Sequence, residues 1–395
     1  MGYRISQIFR DFIKSETSSG YLLIFSAVVA FAVVNFGFYK GYDEFWHQQI
    51  GLNIGNIFLR YSLLHWVNDG LMTIFFLLIG LEIRRELAEG ELSNPQQAIL
   101  PIIAAIGGAL LPAIIYFGFN AGLPTSMGFG IPMATDIAFT LAVLALVGEK
   151  APTSLKIFLT ALAIIDDLIA ILVIAIFYST NVDIGYLLFA SGAAFFLYVL
   201  NRKKVSFLPI YLLFGLLIWY GFLRSGIHAT ISGVLFAFLI PGKRSLGTSL
   251  ANQFEKALHL PVAFFILPLF SFANTGIFLG SINSNNLWSA TSMGIILGLI
   301  IGKPIGIFAI SFLAIKTKVA NLSSGLRLRH LLGGSLLGGI GFTMSMFITT
   351  LAFAETQEAT ISKIAVVIGS FFAGIFGYLF LRLVPSESSL IHWRN

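Results

Sequence analysis

Long apolar runs recur from one end of this 395-residue chain to the other, and they constrain the fold more than any other feature. They fall near 18–38, 62–82, 97–119, 124–147, 154–178, 185–200, 206–222, 227–241, 252–275, 288–315, 329–353 and 361–383. A helix needs ~20 predominantly apolar residues to cross the hydrocarbon of a bilayer, so these runs have the length of spans. Strands of a membrane barrel would read instead as ~10-residue segments of alternating polarity. Composition agrees: 57% of residues are hydrophobic and 11% charged, against about 25% charged in an ordinary soluble domain. The expectation is an all-α integral membrane protein of about twelve transmembrane helices, one polytopic domain over 1–395. The first run is followed by further spans and not by a small-residue cleavage site, so it does not read as a removable signal peptide. With no cysteine in the chain, disulfides, thiolate metal sites and cysteine nucleophiles are excluded.

The net charge of +6 is explained by topology. With the N-terminus in the cytoplasm, nineteen of the 24 Lys and Arg residues fall on that side, from Arg4, Arg10 and Lys14 through the Arg202–Lys204 run to Lys243, Arg244, Arg382 and Arg394. Lys40, Arg60, Arg224 and Lys363 fall outside, and Lys303 lies within a span. Such a bias places both termini in the cytoplasm with an even number of helices. It reflects membrane orientation and gives no reason to expect a nucleic-acid partner. Between the first two runs, residues 44–60 mix polar and apolar side chains around Gly51 and Gly55, too short and broken for a span. An external hairpin or interfacial loop is expected there.

Five ionisable residues sit deep in the apolar runs: Asp69, Asp136, the adjacent Asp166 and Asp167, and Lys303. Each costs roughly 2.5–3.5 kcal/mol at a helix centre on insertion scales, so they must face one another or water. Neighbouring carboxylates on a helix point about 100° apart, so one can meet Lys303 while the other meets a cavity. Two acids this close titrate as a pair. Their oxygens can take a proton or a hard cation, but the same lone pairs cannot serve both. Competition of that kind produces exchange.

Helix-breaking residues lie beside these charges. The fourth run carries Gly128, Gly130 and Pro132 ahead of Asp136, and the eleventh carries Gly333, Gly334, Gly338, Gly339 and Gly341. Both are expected to be interrupted inside the membrane, which irregular backbone survives only where it lines protein or a watery cavity. Broken ends expose partial charges, positive at amino ends and negative at carboxyl ends, which Asp136 and Lys303 are placed to offset. A short repeat, "IAFTLA" at 137–142 and "IGFTMS" at 340–345, links the two runs. They are seven spans apart and so run in opposite directions, which makes segments 3–5 and 10–12 inverted repeats with two discontinuous crossing helices, a transporter signature.

Several strings carry a fuller likeness: "WVNDGLMTIFFLLIGLEIRREL" (66–87), "IPMATDIAFTLAVLALVG" (131–148), "LKIFLTALAIIDDLIAI" (155–171), "SGIHATISG" (225–233), "ILPLFSFANTG" (266–276), "LIGKPIGI" and "GIGFTMSMF" (339–347). Over nearly its whole length the chain resembles the bacterial NhaA-type sodium/proton antiporters. The resemblance implies a multi-pass protein of the bacterial inner membrane that exchanges cytoplasmic Na+ or Li+ for external H+, electrogenically and under pH control. It implies Asp167 as primary cation ligand and proton carrier, Asp166 as its partner in the site and as the pair of Lys303, and Thr135 as a further ligand. It assigns Asp136 and Lys303 to the helix crossing, Asp69 to an accessory position, and Glu82, Arg85 and Glu255 to pH regulation. Lys256, His259 and His228 stand near or among the regulatory positions. The 44–60 stretch matches a hairpin through which family members form homodimers.

Three other readings fare worse. A sodium-coupled organic-solute symporter of related fold would want a wider polar pocket than Asn274, Thr275, Ser335, Thr343 and Ser345 supply. A channel has no need of a buried lysine paired with its acid. An enzyme would show a nucleophile–base pair, a metal-ligand cluster or a phosphate loop, and none stands out. No cofactor is expected beyond the transported ions.

Overall fold

The computed structural model describes residues 16–54, 57–179, 182–205, 207–242, 249–281, 287–354 and 356–384. Arg4, Arg10, Lys14, Lys243, Arg244 and Arg394 of the charge count lie outside them. The described chain is an all-α membrane protein with one small hairpin. Its elements are α1 (Ser18–His47), β1 (Gln49–Ile54), β2 (Ile57–Ser62), α2 (Leu63–Glu89), α3 (Pro95–Asn120), α4 (Pro124–Met133), α5 (Ile137–Val147) and α6 (Thr153–Phe177). There follow α7 (Ile184–Arg202), α8 (Leu208–Ser225), α9 (Thr230–Leu239), α10 (Leu250–Asn274), α11 (Ala290–Lys316), α12 (Leu328–Gly338), α13 (Phe342–Phe353) and α14 (Gln357–Leu383).

Among the described residues nine helices are long and apolar enough to span. Two bent pairs, α4 with α5 at 42° and α12 with α13 at 40°, are the broken segments, and α9 is a shorter apolar helix. Each of the apolar runs in the sequence therefore has its helix. The first differs in its end: α1 is interrupted where Phe36 and Gly37 leave helical geometry, then continues as a nine-residue helix from Tyr39 to His47. Gly37 takes φ of +103°, which only glycine adopts without strain, so the bend is written at that residue. The mixed stretch 44–60 divides accordingly. Its first residues finish that helix, and the rest pairs as an antiparallel hairpin from Gln49 opposite Ser62 to Ile54 opposite Ile57.

Helix starts follow local chemistry. Asn94 caps α3 by accepting from the Gln96 amide at 3.0 Å, with Pro95 at the first position. Ser249 and Ser289 cap α10 and α11 in the same way. Large apolar side chains point outward, with Ile114 62%, Ile176 69% and Phe371 59% exposed, as expected where lipid is the solvent.

The backbone divides into two compact units. Unit 1 comprises residues 1–25, 89–170 and 279–395, and so holds α3 to α5, most of α6, and α11 to α14. Its interior includes the fully buried Leu162, Leu299, Ile307, Leu337, Ile340 and Phe347. Unit 2 comprises residues 26–88 and 171–278, with a core of Leu81, Ala190, Leu197, Tyr211, Ile218, Phe236 and Ala237.

Within unit 1, α3 and α11 cross backbone to backbone at Gly107 and Gly306. A Cβ on Gly107 would lie 2.3 Å from the Gly306 carbonyl oxygen, and one on Gly306 would lie 2.1 Å from that of Gly107. Small residues permit this approach, which holds α11 and hence Lys303 close to α3. Gly306→Ala is expected to lower stability by about 1–3 kcal/mol, the usual cost of overpacking. Gly118→Ala on the same α3, where a Cβ meets nothing within 4 Å, should not lower it. Melting of the purified variants checks both.

Candidate functional site

The break in each discontinuous segment is what brings polar groups together. After α4 the chain runs extended through Ala134 and Asp136, and after α12 it turns through Gly339 to Gly341. The two breaks touch: the Asp136 amide donates to the Ile340 carbonyl at 2.7 Å. The short repeat lies across this contact, with Ile137 opening α5 and Phe342 opening α13. The rings of Phe139 and Phe342, equivalent in the repeat, lie 5.6 Å apart.

Asp136 closes both amino ends. One oxygen accepts from the Phe139 amide at 2.9 Å; the other accepts from the Thr343 amide at 2.9 Å and the Thr343 hydroxyl at 2.6 Å. A carboxylate at a helix start satisfies orphan amides and meets the positive end of the dipole, and here it does so for two helices at once. Ser370 of α14 supports the second start, its hydroxyl oxygen accepting from the Gly341 and Phe342 amides at 3.2 and 3.1 Å. The carboxyl ends meet donors instead. The ammonium of Lys303 donates to the Met133 carbonyl at the end of α4, and the hydroxyls of Thr135 and Thr140 reach the Gly338 and Leu337 carbonyls ending α12 at 3.0 and 3.3 Å.

Asp166 lies on α6 beside this crossing. Its Oδ2 is 2.8 Å from Lys303 Nζ, and both side chains are fully buried. The same oxygen accepts from the Thr135 hydroxyl at 2.6 Å. That hydroxyl has one proton and two acceptors in reach, and the shorter, charge-assisted bond to Asp166 is the stronger. The other carboxylate oxygen, Oδ1, has no hydrogen-bond partner among the described residues. Asp167, 1% exposed, follows on the same helix and is close enough to Lys303 to act on it electrostatically. Thr135, Asp136, Asp166, Asp167 and Lys303 thus form one buried cluster inside unit 1.

The remaining predicted positions lie in unit 2. Asp69 stands on α2 with Oδ2 3.2 Å from His65 Nδ1, one helical turn earlier. His228 places Nε2 3.0 Å from the Tyr178 carbonyl oxygen. Arg85 Nη1 is 2.6 Å from Glu255 Oε1, joining α2 to α10, and Nη2 is 3.1 Å from Glu86. Glu82, one turn before Arg85, lies within electrostatic reach of both Arg85 and Glu255. Sequence reasoning did not single out Ser370, or Arg84, whose guanidinium donates to the Ala237 and Ile240 carbonyls at the carboxyl end of α9. Asn201 adds a bond to the Leu239 carbonyl at 3.0 Å. The one signal for Arg84 was a basic residue just past the end of the 62–82 apolar run, and it read as topology.

Among the described residues no three of His, Asp or Glu cluster as a resident metal centre. Apart from Asp136, whose two oxygens are taken up by the helix starts, the buried group offers two carboxylates, a hydroxyl and an ammonium, in which one acid is already paired with the lysine. The oxygens of such a site can take protons or a hard cation.

A charged cluster at the meeting of two broken helices, inside a polytopic helical bundle, defines the class of membrane transporters with discontinuous helices. The profile of the family described as Na+/H+ antiporter 1 matches residues 10–381. The chain is 48% identical over 381 residues to Na(+)/H(+) antiporter NhaA 1 of Flavobacterium johnsoniae, covering 96% of this chain and 98% of that one. It is 49% identical over 392 residues to Na(+)/H(+) antiporter NhaA of Flavobacterium psychrophilum, covering 99% and 100%. Against Na(+)/H(+) antiporter NhaA of Helicobacter pylori it is 44% identical over 428 residues, covering 98% of each. The chain belongs to the Na+/H+ antiporter 1 family.

Proposed function

We propose that the chain is an electrogenic secondary antiporter of a bacterial inner membrane, exchanging cytoplasmic Na+ or Li+ for external H+ at Asp166 and Asp167. The observation that carries this reading is the fully buried Asp166–Lys303 pair at 2.8 Å, with the second aspartate next to it on α6. Two carboxylates and one ammonium sum to a single negative charge. One Na+ neutralises that charge, and so does one proton, so the two compete. Thr135 supplies a further oxygen, and the oxygens of Asp166 and Asp167 suit a hard cation. Asp136 and Lys303 offset the charges at the broken helix ends. A second proton, taken up by the Asp166 carboxylate as its pair with the Lys303 ammonium opens, makes the exchange electrogenic. The names of the relatives, all Na(+)/H(+) antiporters, support the same reading.

The Arg85–Glu255 contact, with Glu82 nearby, joins α2 to α10 on the side we assign to the cytoplasm, and we read it as the pH-responsive element. Asp69 is accessory. The β1–β2 hairpin is the surface through which a homodimer would form.

Calorimetry of Na+ binding across pH, in buffers of different ionisation enthalpy, tests the competition directly. Binding is expected to release protons, and the apparent Kd to weaken about tenfold per pH unit on the acid side for each proton displaced. Cation binding that left proton occupancy unchanged at every pH would overturn the mechanism.

A further inference from the structure

Unit 2 holds a feature that ion exchange does not use. The start of α7 and the end of α8 form an open cavity of about 340 Å3 lined by Asp183, Gly185, Tyr186, Phe189 and Tyr220. Its wall is aromatic, with Tyr186 and Tyr220 meeting edge to face at 6.2 Å between ring centroids. Asp183 stands at the lip. Its Oδ1 accepts from the Gly185 and Tyr186 amides at 2.8 and 3.3 Å, and its amide donates to the Ser225 carbonyl at 2.8 Å, which ties the start of α7 to the end of α8. No basic side chain among the described residues pairs with this exposed carboxylate.

A cation lies against the same wall. The Arg224 guanidinium sits 5.5 Å from the Tyr186 ring centroid, with the Tyr61 side chain also close to it. Its Nε is buried with no hydrogen-bond partner, and no carboxylate among the described residues pairs with it. The acid lines the aromatic cavity, and the guanidinium lies over the ring of Tyr186, one of the residues that line it. On α7 the neighbouring side chains are apolar and outward-facing, with Ile184 68%, Leu188 66% and Phe189 46% exposed. Both helices end here, at the level where headgroups meet hydrocarbon.

We propose that this cavity binds the headgroup of a zwitterionic phospholipid of the surrounding bilayer. The ammonium rests on Asp183 and the Tyr220 and Tyr186 rings, the phosphate on Arg224, and an acyl chain runs along Leu188 and Phe189. Aromatic faces beside a carboxylate attract an ammonium, and a guanidinium favours phosphate oxygens. The exposed apolar face of α7 is the reason to choose a lipid over a soluble amine.

The test uses delipidated, full-length protein and native mass spectrometry with phosphatidylethanolamine or phosphatidylglycerol of matched acyl chains. Phosphatidylethanolamine is expected to bind more tightly. Asp183→Asn keeps the helix cap, since Asn caps as well as Asp, and should remove about tenfold of that preference. Tyr220→Leu should do the same, and it keeps the test open should Asp183→Asn fold poorly. Arg224→Gln should weaken both lipids. Equal binding of the two lipids, or a preference untouched by Asp183→Asn and Tyr220→Leu, would overturn the proposal. Displacement of the lipid by soluble phosphoethanolamine at equal concentration would overturn the lipid assignment.

Discussion

Asp167→Asn is expected to bring sodium-driven collapse of a pH gradient in reconstituted vesicles down to the level of vesicles without protein. With Asp167 ionised, Asp166 ionised and Lys303 protonated, the proposed site carries one net negative charge, and Na+ makes it neutral. Asparagine keeps the size and one oxygen but removes the charge, so the empty site is neutral and the occupied site carries an uncompensated positive charge in a fully buried setting. Taking an unpaired ion out of water costs several kcal/mol even after relaxation, and each 1.4 kcal/mol is tenfold in affinity. Hydroxyl and carbonyl oxygens of Thr135 and the broken backbone cannot supply that deficit. The variant should nonetheless fold, because the Asp166–Lys303 pair, the Asp136 caps and the packing around them remain. Dequenching that persisted in well-folded Asp167→Asn protein would remove Asp167 as the cation ligand.

Much of the fold was legible because a bilayer imposes a single rule on every span. A segment without water must satisfy its own backbone, so a long apolar run becomes a helix, and each run here did so. The breaks were legible for the converse reason. Gly128, Gly130, Pro132 and the glycines from 333 to 341 mark positions where a helix is hard to continue, and charged residues next to them mark where a broken end must be met. The bend at Gly37 was not legible, since one glycine in an apolar run is compatible with an unbroken helix and only its positive φ reveals the turn.

The cluster was partly legible. Asp136, Asp166, Asp167 and Lys303 stand out one by one because a charge in hydrocarbon is costly. The resemblance implied the Asp166–Lys303 pair, but the sequence did not contain the particular groups that the other charges meet. That Asp136 caps two helices, and that Ser370 holds the Gly341 and Phe342 amides, depends on segments more than 200 and nearly 30 residues apart meeting at one point. Ser370 itself, in "VVIGSFFAG", reads as one more small residue on a packed helix. Arg84 was hidden differently: its charge counted toward orientation, while its side chain turns back to close α9.

The second large effect concerns stability. Asp166→Asn is expected to lower the melting temperature of the purified protein by roughly 4–6 °C, because it removes one partner from an ion pair that has no access to water. Lys303 would keep its bond to the Met133 carbonyl, but a carbonyl dipole offsets only part of an ammonium charge. Removing one partner from a buried pair costs about 3–5 kcal/mol, whereas replacing both with apolar groups of similar volume is often neutral. The double variant Asp166→Asn with Lys303→Met should therefore melt above Asp166→Asn alone. A double-mutant cycle reads the coupling between the two side chains directly, and a coupling of at least about 1 kcal/mol is expected for groups in contact. The Met133 carbonyl at the end of α4 loses its cation in the double variant, so recovery should be incomplete. If Asp166→Asn melted with the parent protein, the ammonium would have to be balanced by another group, and Asp167 is the acid placed to do it. A carboxylate committed to the lysine in that way would no longer be free for Na+, so an unchanged melting temperature would count against the proposed division of roles between the two aspartates.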